Sequence, residues 1–393
     1  MYELSKRAPE EEQMQSSPAD GFNFHMPTRV VFGNGCLSRL GEVVGDTVGG
    51  AAPVFLVTGK HSLKAGGVLG RVLEQLKGHQ VTHFDGALPF PSPEMVDEAV
   101  EACQRAAPAI VVAVGGGSAL DLGKLVAVLS ANEGPSLDYG EGRRKVTRRG
   151  LPFVAAPTTS GSSSEVTSGA ALWQMSEHTS CNVNHEYMFP TVALVDPELT
   201  LSMPRDLAAA TGMDAFTSAF ESYWSREAQP ATDALALKVI ELFMGNLEES
   251  CITAKREARA GCALAATLSG IGYTNSRPNI CHAFSRPLTI FWGVAHGEAV
   301  GVSLNACLKW NAEAIEGKLP ALWSAMGVKG LEEGCLRIDR LMANCRLQRK
   351  LRPMGASSGD MDRIMDCVPW ERLAPIPRPM DRAEARALVG PLA

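Results

Sequence analysis

The segment VVAVGGGSALDLGK, residues 111–124, joins an apolar run to three consecutive glycines and then to a helix-like pattern. Glycines after a buried strand let the backbone approach a pyrophosphate closely, and the amides at the start of the next helix favour an anion. Ser118 is expected to cap that helix, with Asp121 three residues later as in a capping box. A tight turn without a ligand is the alternative, but the order of strand, glycines, cap and helix favours phosphate binding. The predicted cofactor contacts in this segment are Gly115, Gly116, Gly117, Ser118 and Asp121.

A second loop, PTTSGSSSE at residues 157–165, follows the short apolar run at 153–156. Its hydroxyl groups are suited to hydrogen bonds with a ribose, an amide or phosphates, but a plain Ser/Thr turn that caps the next segment fits the loop equally well. Taken together with the glycine segment, the loop favours cofactor contact. The predicted contacts in this loop are Thr158, Thr159 and Ser162.

Short apolar runs alternate with helical stretches through the first half of the chain. The runs are at 29–33, 53–59, 81–84 and 110–114, and the helical stretches between them include 37–44 and 68–77. Continuous apolar strands separated by helices are typical of a parallel sheet covered on both faces. The chain therefore begins with a predicted α/β domain of Rossmann-like nucleotide-binding architecture, although its glycines do not follow the G-x-G-x-x-G spacing of ordinary Rossmann enzymes.

The second half of the chain is predicted to be all-helical. Strand-like runs disappear after about residue 205, and helix-like patterns extend from Pro204 to Ser222 and occur at 230–247, 255–270, 297–311 and 331–345. The predicted organisation is a flexible tail at 1–21, an α/β dinucleotide-binding domain at 22–203 and a helical domain at 204–393. We expect the active site in the cleft between the two domains.

Composition argues against several classes of partner. Apolar residues make up 45% of the 393 residues and charged residues 20%, and the net charge of −6 without a basic block argues against nucleic acid. The ten cysteines are scattered without a C-x-x-C pair, which favours reduced thiols in a cytoplasmic protein. Runs of eighteen apolar residues are absent from the sequence, so no membrane span is predicted, and the polar N-terminus lacks the apolar core of a signal peptide.

Five ordered motifs resemble the iron-type (group III) alcohol dehydrogenases, whose fold is similar to that of dehydroquinate synthase. The motifs are GGGSALDLGK (115–124), PTTSGSSSEVT (157–167), VDPELTLSMP (195–204), ATGMDAFTSAFESY (210–223) and the stretch from His282 to Asn311. The resemblance extends from about residue 24 to the end of the chain. It implies an enzyme that interconverts small carbonyl compounds and alcohols with NAD(P), a divalent metal such as iron or zinc, and assembly as a homodimer.

The resemblance implies a metal site in the helical domain, with one altered position. The family's ligands are an Asp, a His four residues later and two further histidines; Asp214, His282 and His296 match, but Ser218 stands where the fourth ligand is missing. Positions i and i+4 face the same way on a helix, so Ser218 is expected to point at the site, yet a neutral hydroxyl is a poor ligand for iron or zinc. The three remaining residues either hold a metal, as three-ligand catalytic sites do, or are the vestige of a site.

Arg286 lies four residues after His282, where relatives often carry another histidine near the substrate. A guanidinium there repels a divalent cation but attracts a carboxylate or a phosphonate, and a salt bridge to a structural carboxylate is the alternative. Three motifs also resemble the phosphonoacetaldehyde reductase branch of the family: HAFSRPLT (282–289), HGEAVGVSL (296–304) and ESYWSREAQPATDALAL (221–237). Both observations predict a small carbonyl substrate that bears an anionic group.

Gly59 stands where the family's strand often ends in an Asp that contacts the adenosine ribose, and Lys60 and His61 follow it. Without that carboxylate, and with a cation nearby, a 2′-phosphate is tolerated, so NADPH is expected in preference to NADH. The alternative is that Gly59 only serves a turn.

The predicted reaction is hydride transfer between the nicotinamide and a carbonyl held in the interdomain cleft. With a metal, Asp214, His282 and His296 hold a Lewis acid; without one, Arg286 or His296 stabilises the developing alkoxide. The predicted catalytic residues are therefore His296, Arg286 and Asp214. Two alternatives stay open at this point: a redox-neutral lyase or cyclase similar to dehydroquinate synthase, and a nucleotide-binding homologue whose catalysis is weakened by the change at Ser218.

Overall fold

The structure, a computed structural model, describes residues 21–393. The strands in this part of the chain are β1 (Arg29–Phe32), β2 (Pro53–Gly59), β3 (Gln80–Ala87), β4 (Ile110–Gly115), β5 (Phe153–Pro157), β6 (Gly169–Gln174), β7 (Thr179–Asn184) and β8 (Val192–Val195). Six of them form one parallel sheet in the order β1-β8-β5-β4-β2-β3. The central strands β4 and β5 are buried along their whole length, as continuous apolar runs indicate. The predicted parallel sheet is confirmed.

Helices cover both faces of this sheet. They are α1 (Leu40–Val48), α2 (Ser62–Ala65), α3 (Val68–Gln75), α4 (Pro93–Ala106), α5 (Gly117–Leu129) and α6 (Ser136–Gly140). In β4, Val111 and Ala113 pack with residues of α4 and α5, whereas Val112 and Val114 pack with residues of α1 and α3. Alternate side chains of a strand point to opposite faces, so the uninterrupted apolar run of β4 contributes to both cores.

The strands β6 and β7 form an antiparallel hairpin outside the main sheet, which the sequence did not predict. The sequence of β7, TSCNVN, is mostly polar and half-exposed, so it lacks the apolar run that marked the other strands. The hairpin is joined to the segment after β3 by a hydrogen bond from the backbone amide of Trp173 to the carbonyl of Pro91, at 2.9 Å.

The second half of the described chain is helical, as predicted. Its helices are α7 (Arg205–Trp224), α8 (Pro230–Ile252), α9 (Arg256–Tyr273), α10 (Ile280–Trp292), α11 (His296–Gly301), α12 (Leu304–Asn311), α13 (Leu319–Met326), α14 (Leu331–Asn344), α15 (Met361–Cys367) and α16 (Arg382–Val389). Helix α7 is buried on nearly all sides because α8, α9 and α11 pack around it. The run predicted at 297–311 is two helices, and α10 was not predicted as a helix.

All ten cysteines are free thiols, in agreement with the expectation from their spacing. Within residues 21–393 no helix is both long and apolar enough to cross a membrane. The predicted tail at 1–21 lies outside the described residues except for Gly21. The domain boundary at 203 and 204 stays a prediction; β8 ends at Val195 and α7 begins at Arg205.

Candidate active site

A cleft of about 1350 Å³ is lined by the loops at the carboxyl ends of the strands and by residues of the helical half. All nine residues predicted to contact the cofactor line it: Gly59, Gly115, Gly116, Gly117, Ser118, Asp121, Thr158, Thr159 and Ser162. The same cleft is lined by Asp214, Ser218, His282 and His296. The candidate nucleotide loops and the candidate metal residues therefore meet in one cavity, at the strand ends where parallel α/β sheets bind ligands.

The glycine loop (residues 115–117) and the hydroxyl loop (residues 157–165) lie side by side because β4 and β5 are neighbours, with Gly115 opposite Pro157. A Cβ atom at Gly117 would lie 2.5 Å from Oγ of Ser162, and one at Gly115 would lie 2.6 Å from Cβ of Ala119. Glycine is required at both positions by this close approach. The first amides of α5, which have no partner within their own helix, are thus placed at the cleft wall, and amides in such a position favour an anion.

The predicted capping box of α5 is not formed. The N-cap is Gly116, without a side-chain cap hydrogen bond, and Ser118 is the second residue of the helix. The carboxylate of Asp121 instead accepts hydrogen bonds from Oγ of Ser164, at 2.6 Å, and from the amide of Ala171, at 3.2 Å. The capping prediction was wrong because the helix begins two residues earlier than a cap at Ser118 requires, at the last glycine. Through these two hydrogen bonds, Asp121 connects α5 to the hydroxyl loop and to the hairpin.

A buried lysine strengthens this connection. Lys124 is fully buried, and its Nζ donates to the carbonyl of Gly169, at 2.6 Å, and to Oγ1 of Thr167, at 3.1 Å. Burial lowers the pKa of Lys124 to about 8, while the charges of Asp121 and Glu165 oppose that shift. Burial raises the pKa values of both carboxyl groups. The hydrogen bonds of Asp121 and Lys124 together join α5 to the hydroxyl loop and to the hairpin.

Three helices bring the metal candidates together. Asp214 lies on α7, His282 on α10 and His296 at the start of α11. Oδ1 of Asp214 is 3.2 Å from Nε2 of His282 and 4.0 Å from Nε2 of His296. Helix α11 approaches α7 so closely that a Cβ atom at Gly297 would clash with the carbonyl of Ala210. The glycine after His296 therefore permits the imidazole to reach the carboxylate.

Glu221 is the most important residue that sequence reasoning missed. Its carboxylate, fully buried, accepts hydrogen bonds from Nδ1 of His282 and from the amide of Cys281, at 2.5 Å for the latter. An imidazole that donates Nδ1–H to a carboxylate presents the lone pair of Nε2 to a metal. The signal was present in the sequence, because Glu221 follows Asp214 by seven residues and Ser218 by three, which places all three along one side of α7.

The electrostatics of the three residues suit a cation. Burial raises the pKa of Asp214, but the charges of His296 and His282 lower it more, so the net shift is downward and the carboxylate is ionised at neutral pH. Burial lowers the pKa of His296. Burial also lowers the pKa of His282, but Glu221 and Asp214 raise it more, to about 9. The carboxylates thus stabilise positive charge at His282.

The donor set fits a divalent metal. One carboxylate oxygen and two imidazole nitrogens lie within 4.8 Å of one another. Nδ1 of His296 is buried and has no hydrogen-bond partner among residues 21–393. Two imidazoles and one carboxylate are suited to iron or zinc, and all three residues line the cleft. Ser218 is 2% exposed and lines the same cleft one helical turn after Asp214, as its position predicted.

Arg286 does not line this cleft. Its Nη2 donates to the carbonyl of Ser180, at 2.6 Å, and to Oγ1 of Thr179, at 3.1 Å. It lines a separate cavity of about 600 Å³ together with Arg363 and Phe291. The expectation that Arg286 contacts the substrate next to His282 is therefore not supported, because the long side chain extends toward the hairpin, whose presence the sequence did not reveal.

Comparison with known proteins agrees with the geometry. The sequence model described as iron-containing alcohol dehydrogenase matches residues 27–197, and the model of the C-terminal part of that family matches residues 208–389. The long-chain-alcohol dehydrogenase 1 of Geobacillus thermodenitrificans (strain NG80-2) is 32% identical over 354 residues, which cover 86% of this chain and 89% of that relative.

Solved structures have the same fold along nearly the whole chain. A 1,3-propanediol oxidoreductase superposes with a TM-score of 0.89 and 29% identity, and the match covers 95% of this chain and 100% of the other. The sulfoacetaldehyde reductase from Bifidobacterium kashiwanohense, solved in complex with NAD⁺, superposes with a TM-score of 0.88 and 26% identity, covering 94% of this chain and 98% of the other.

Proposed function

Because the chain belongs to the iron-containing alcohol dehydrogenase family, we propose that it reduces a small aldehyde or ketone that carries an anionic group. Membership in the family makes the protein an oxidoreductase. The observation that carries the proposal is the single cleft, lined by the phosphate loop at one end and by Asp214, His282 and His296 at the other. A nucleotide at the phosphate loop and a carbonyl compound at the three metal candidates would share that cleft.

Different residues of the chain have different roles in the proposed reaction. When bound, the nicotinamide supplies the hydride and the metal supplies a Lewis acid that polarises the carbonyl. The amides at the start of α5 bind the pyrophosphate, and the side chains of the hydroxyl loop orient the rest of the nucleotide. Asp214, His282 and His296 would hold the metal, and Glu221 fixes the ring of His282. Trp173 of the hairpin lines the same cleft, with its ring 6.4 Å from that of His296, and limits access of water.

We propose that three protein ligands suffice for the metal in this chain. Ser218 leaves one position without an imidazole, but two histidines and one carboxylate with open positions form a known catalytic arrangement. Glu221 supports this set by holding His282 in one tautomer.

One observation supports the anionic group of the substrate, and another supports the choice of cofactor. Sulfoacetaldehyde, the substrate named for one structural neighbour, is a small aldehyde that bears a sulfonate. Gly59 lines the cleft at the end of β2 without a carboxylate, so NADPH is proposed to bind at least as well as NADH. Homodimer assembly and a cytoplasmic location stay predictions.

The test begins with the metal content of protein purified without chelators, measured by elemental mass spectrometry, and with NADPH and NADH titrations followed by fluorescence. We expect about one iron or zinc per chain, as three ligands permit, and binding of both nucleotides. The Ser218→His variant is the comparison, because a fourth ligand should slow metal loss to a chelator. Reduction of phosphonoacetaldehyde and 4-oxobutanoate is then assayed. Absence of turnover with every aldehyde and ketone, despite bound metal and nucleotide, would contradict the proposed function.

A further inference from the structure

Two arginines, Arg277 and Arg372, line the same cleft as the metal triad, which is the set of Asp214, His282 and His296. Arg277 has a partner, since its Nε lies 3.5 Å from Oε2 of Glu227. Arg372 has no carboxylate oxygen within 4.0 Å among residues 21–393. A guanidinium that lines a cavity without a counter-ion is suited to bind an anion there, because its planar donors match a carboxylate or a phosphonate.

Arg372 lies at the metal end of the cleft. It belongs to the 3-10 turn Trp370–Leu373, which packs against α10, the helix that carries His282. Arg372, Asp214, His282 and His296 all line one cleft. A small ligand bound at the three metal candidates is therefore within the same cavity as the guanidinium of Arg372.

The charged groups around Arg372 leave its guanidinium available to bind an anion. Burial lowers the pKa of Arg372, and the neighbouring guanidinium of Arg286 lowers it further. The nearby carboxylate of Glu221 is fully buried and occupied by His282 and Cys281, and that of Glu371 is exposed. Of the two adjacent guanidinium groups, that of Arg286 is occupied by the hairpin and lines the other cavity. An anion in the cleft therefore meets the guanidinium of Arg372 and not that of Arg286.

We propose that Arg372 binds the anionic group of the substrate, a carboxylate, sulfonate or phosphonate, while the carbonyl lies at the metal triad. This inference rests on the proposed reductase function. A neutral aldehyde of similar length leaves the guanidinium without a partner, and a site built around a charged group discriminates strongly against a ligand that lacks it. Arg372 is thus a specificity-determining residue of the reaction.

The test compares metal-loaded, NADPH-dependent reduction of 4-oxobutanoate and phosphonoacetaldehyde with that of butanal. The measured quantity is the ratio of kcat/KM for the anionic aldehydes to kcat/KM for butanal. In Arg372→Gln this ratio should fall about 100-fold, mainly through KM, because a charged hydrogen-bond partner is lost. In Arg372→Lys it should fall about tenfold, since the charge stays but the two-pronged geometry is lost. Arg286→Gln is the matched comparison and should leave the ratio unchanged.

Two results would overturn the inference: an unchanged ratio in Arg372→Gln, or a fall confined to Arg286→Gln. Complete absence of aldehyde reduction by the wild-type protein would instead contradict the proposed function. In that case calorimetric titration of the NADPH-loaded protein with succinate decides on Arg372. Succinate binding that is lost in Arg372→Gln sustains the anion site, whereas equal binding in both proteins, or none, overturns it.

Discussion

The two ends of the cleft differ in the parts of the chain that line them. At the proposed nucleotide end, two adjacent loops form the wall of the cleft, and hydrogen bonds of Lys124 and Asp121 hold these loops and the hairpin together. At the proposed metal end, the candidate ligand atoms belong to side chains on three separate helices, α7, α10 and α11. A backbone site depends on close approach of the chain, whereas a side-chain site depends on the identity of each ligand.

This difference predicts that the change at Ser218 is less disruptive than a change at a glycine of the nucleotide loops. A missing imidazole removes one ligand and leaves three others in place. A side chain at Gly117, by contrast, would collide with Ser162 and displace the loop as a whole. We therefore expect the two ends to respond independently to substitution, and each of the following variants tests that separation.

The largest effect is expected for His296→Ala. The side chain is 37% exposed, so its removal costs little stability, but the metal loses one of three ligands. We expect loss of bound metal and a fall in kcat/KM of about 1000-fold, since a Lewis acid contributes several kcal/mol to a transition state. The dissociation constant for NADPH should stay within about threefold, because the phosphate loop is a separate structure. Wild-type protein stripped by a chelator is the control, and loss of NADPH binding along with the metal would contradict independence of the two ends.

Gly117→Ala tests the opposite end. The new Cβ atom would lie 2.5 Å from Oγ of Ser162, so the two loops must move apart. Displacements on the order of 1 Å weaken a preorganised site about 100-fold, and we expect a loss of that size in nucleotide affinity measured by fluorescence. Metal content should not change. Gly70→Ala on α3 is the matched control, because a Cβ atom there meets no neighbour within 4 Å. Unaltered NADPH binding in Gly117→Ala would show that the pyrophosphate does not use this loop.

Glu221→Gln tests whether the metal end depends on a residue that contacts no metal itself. The amide keeps the shape of the carboxylate and an acceptor for Cys281, but it is uncharged and a weaker acceptor for Nδ1 of His282. We expect metal affinity to fall about 30-fold in competition with a chelating dye, within the range for partners of metal-bound histidines. The control is Glu249→Gln, an exposed carboxylate on α8 that pairs with Lys255. Equal metal affinity in Glu221→Gln and the wild type would mean that the orientation of His282 is fixed by packing alone.

The sequence was informative where the physical signal is local. The apolar run of β4 and the glycines after it predicted the sheet and the phosphate loop, since both depend on a few consecutive residues. The hairpin β6–β7 was missed because β7 is mostly polar, and the cap predicted at Ser118 lies two residues after the observed N-cap, Gly116. Element boundaries depend on such small differences in local geometry.

The metal end was predictable only in part. Asp214, His282 and His296 were identified by their resemblance to family motifs, and all three line the cleft. The direction in which Arg286 extends and the position of Arg372 depend on contacts between segments far apart in the chain. No pattern of neighbouring residues contains that information, because it arises when the C-terminal segment packs against α10.

The smallest effect is expected for Gly59→Asp, which adds a side chain to the nucleotide end. Gly59 does not have a left-handed φ, and a Cβ atom there would meet its nearest neighbours at 3.6 and 4.0 Å, so the substitution fits without strain. A carboxylate at the end of β2 repels a 2′-phosphate and accepts a hydrogen bond from a free ribose hydroxyl. We expect the ratio of NADPH to NADH affinity to fall about fivefold, as one exposed charge contact of roughly 1 kcal/mol implies. Gly59→Asn, of the same shape without the charge, should shift the ratio much less. If both variants leave the ratio unchanged, the adenosine ribose does not reach Gly59, and the nucleotide end recognises its ligand through the backbone loops alone.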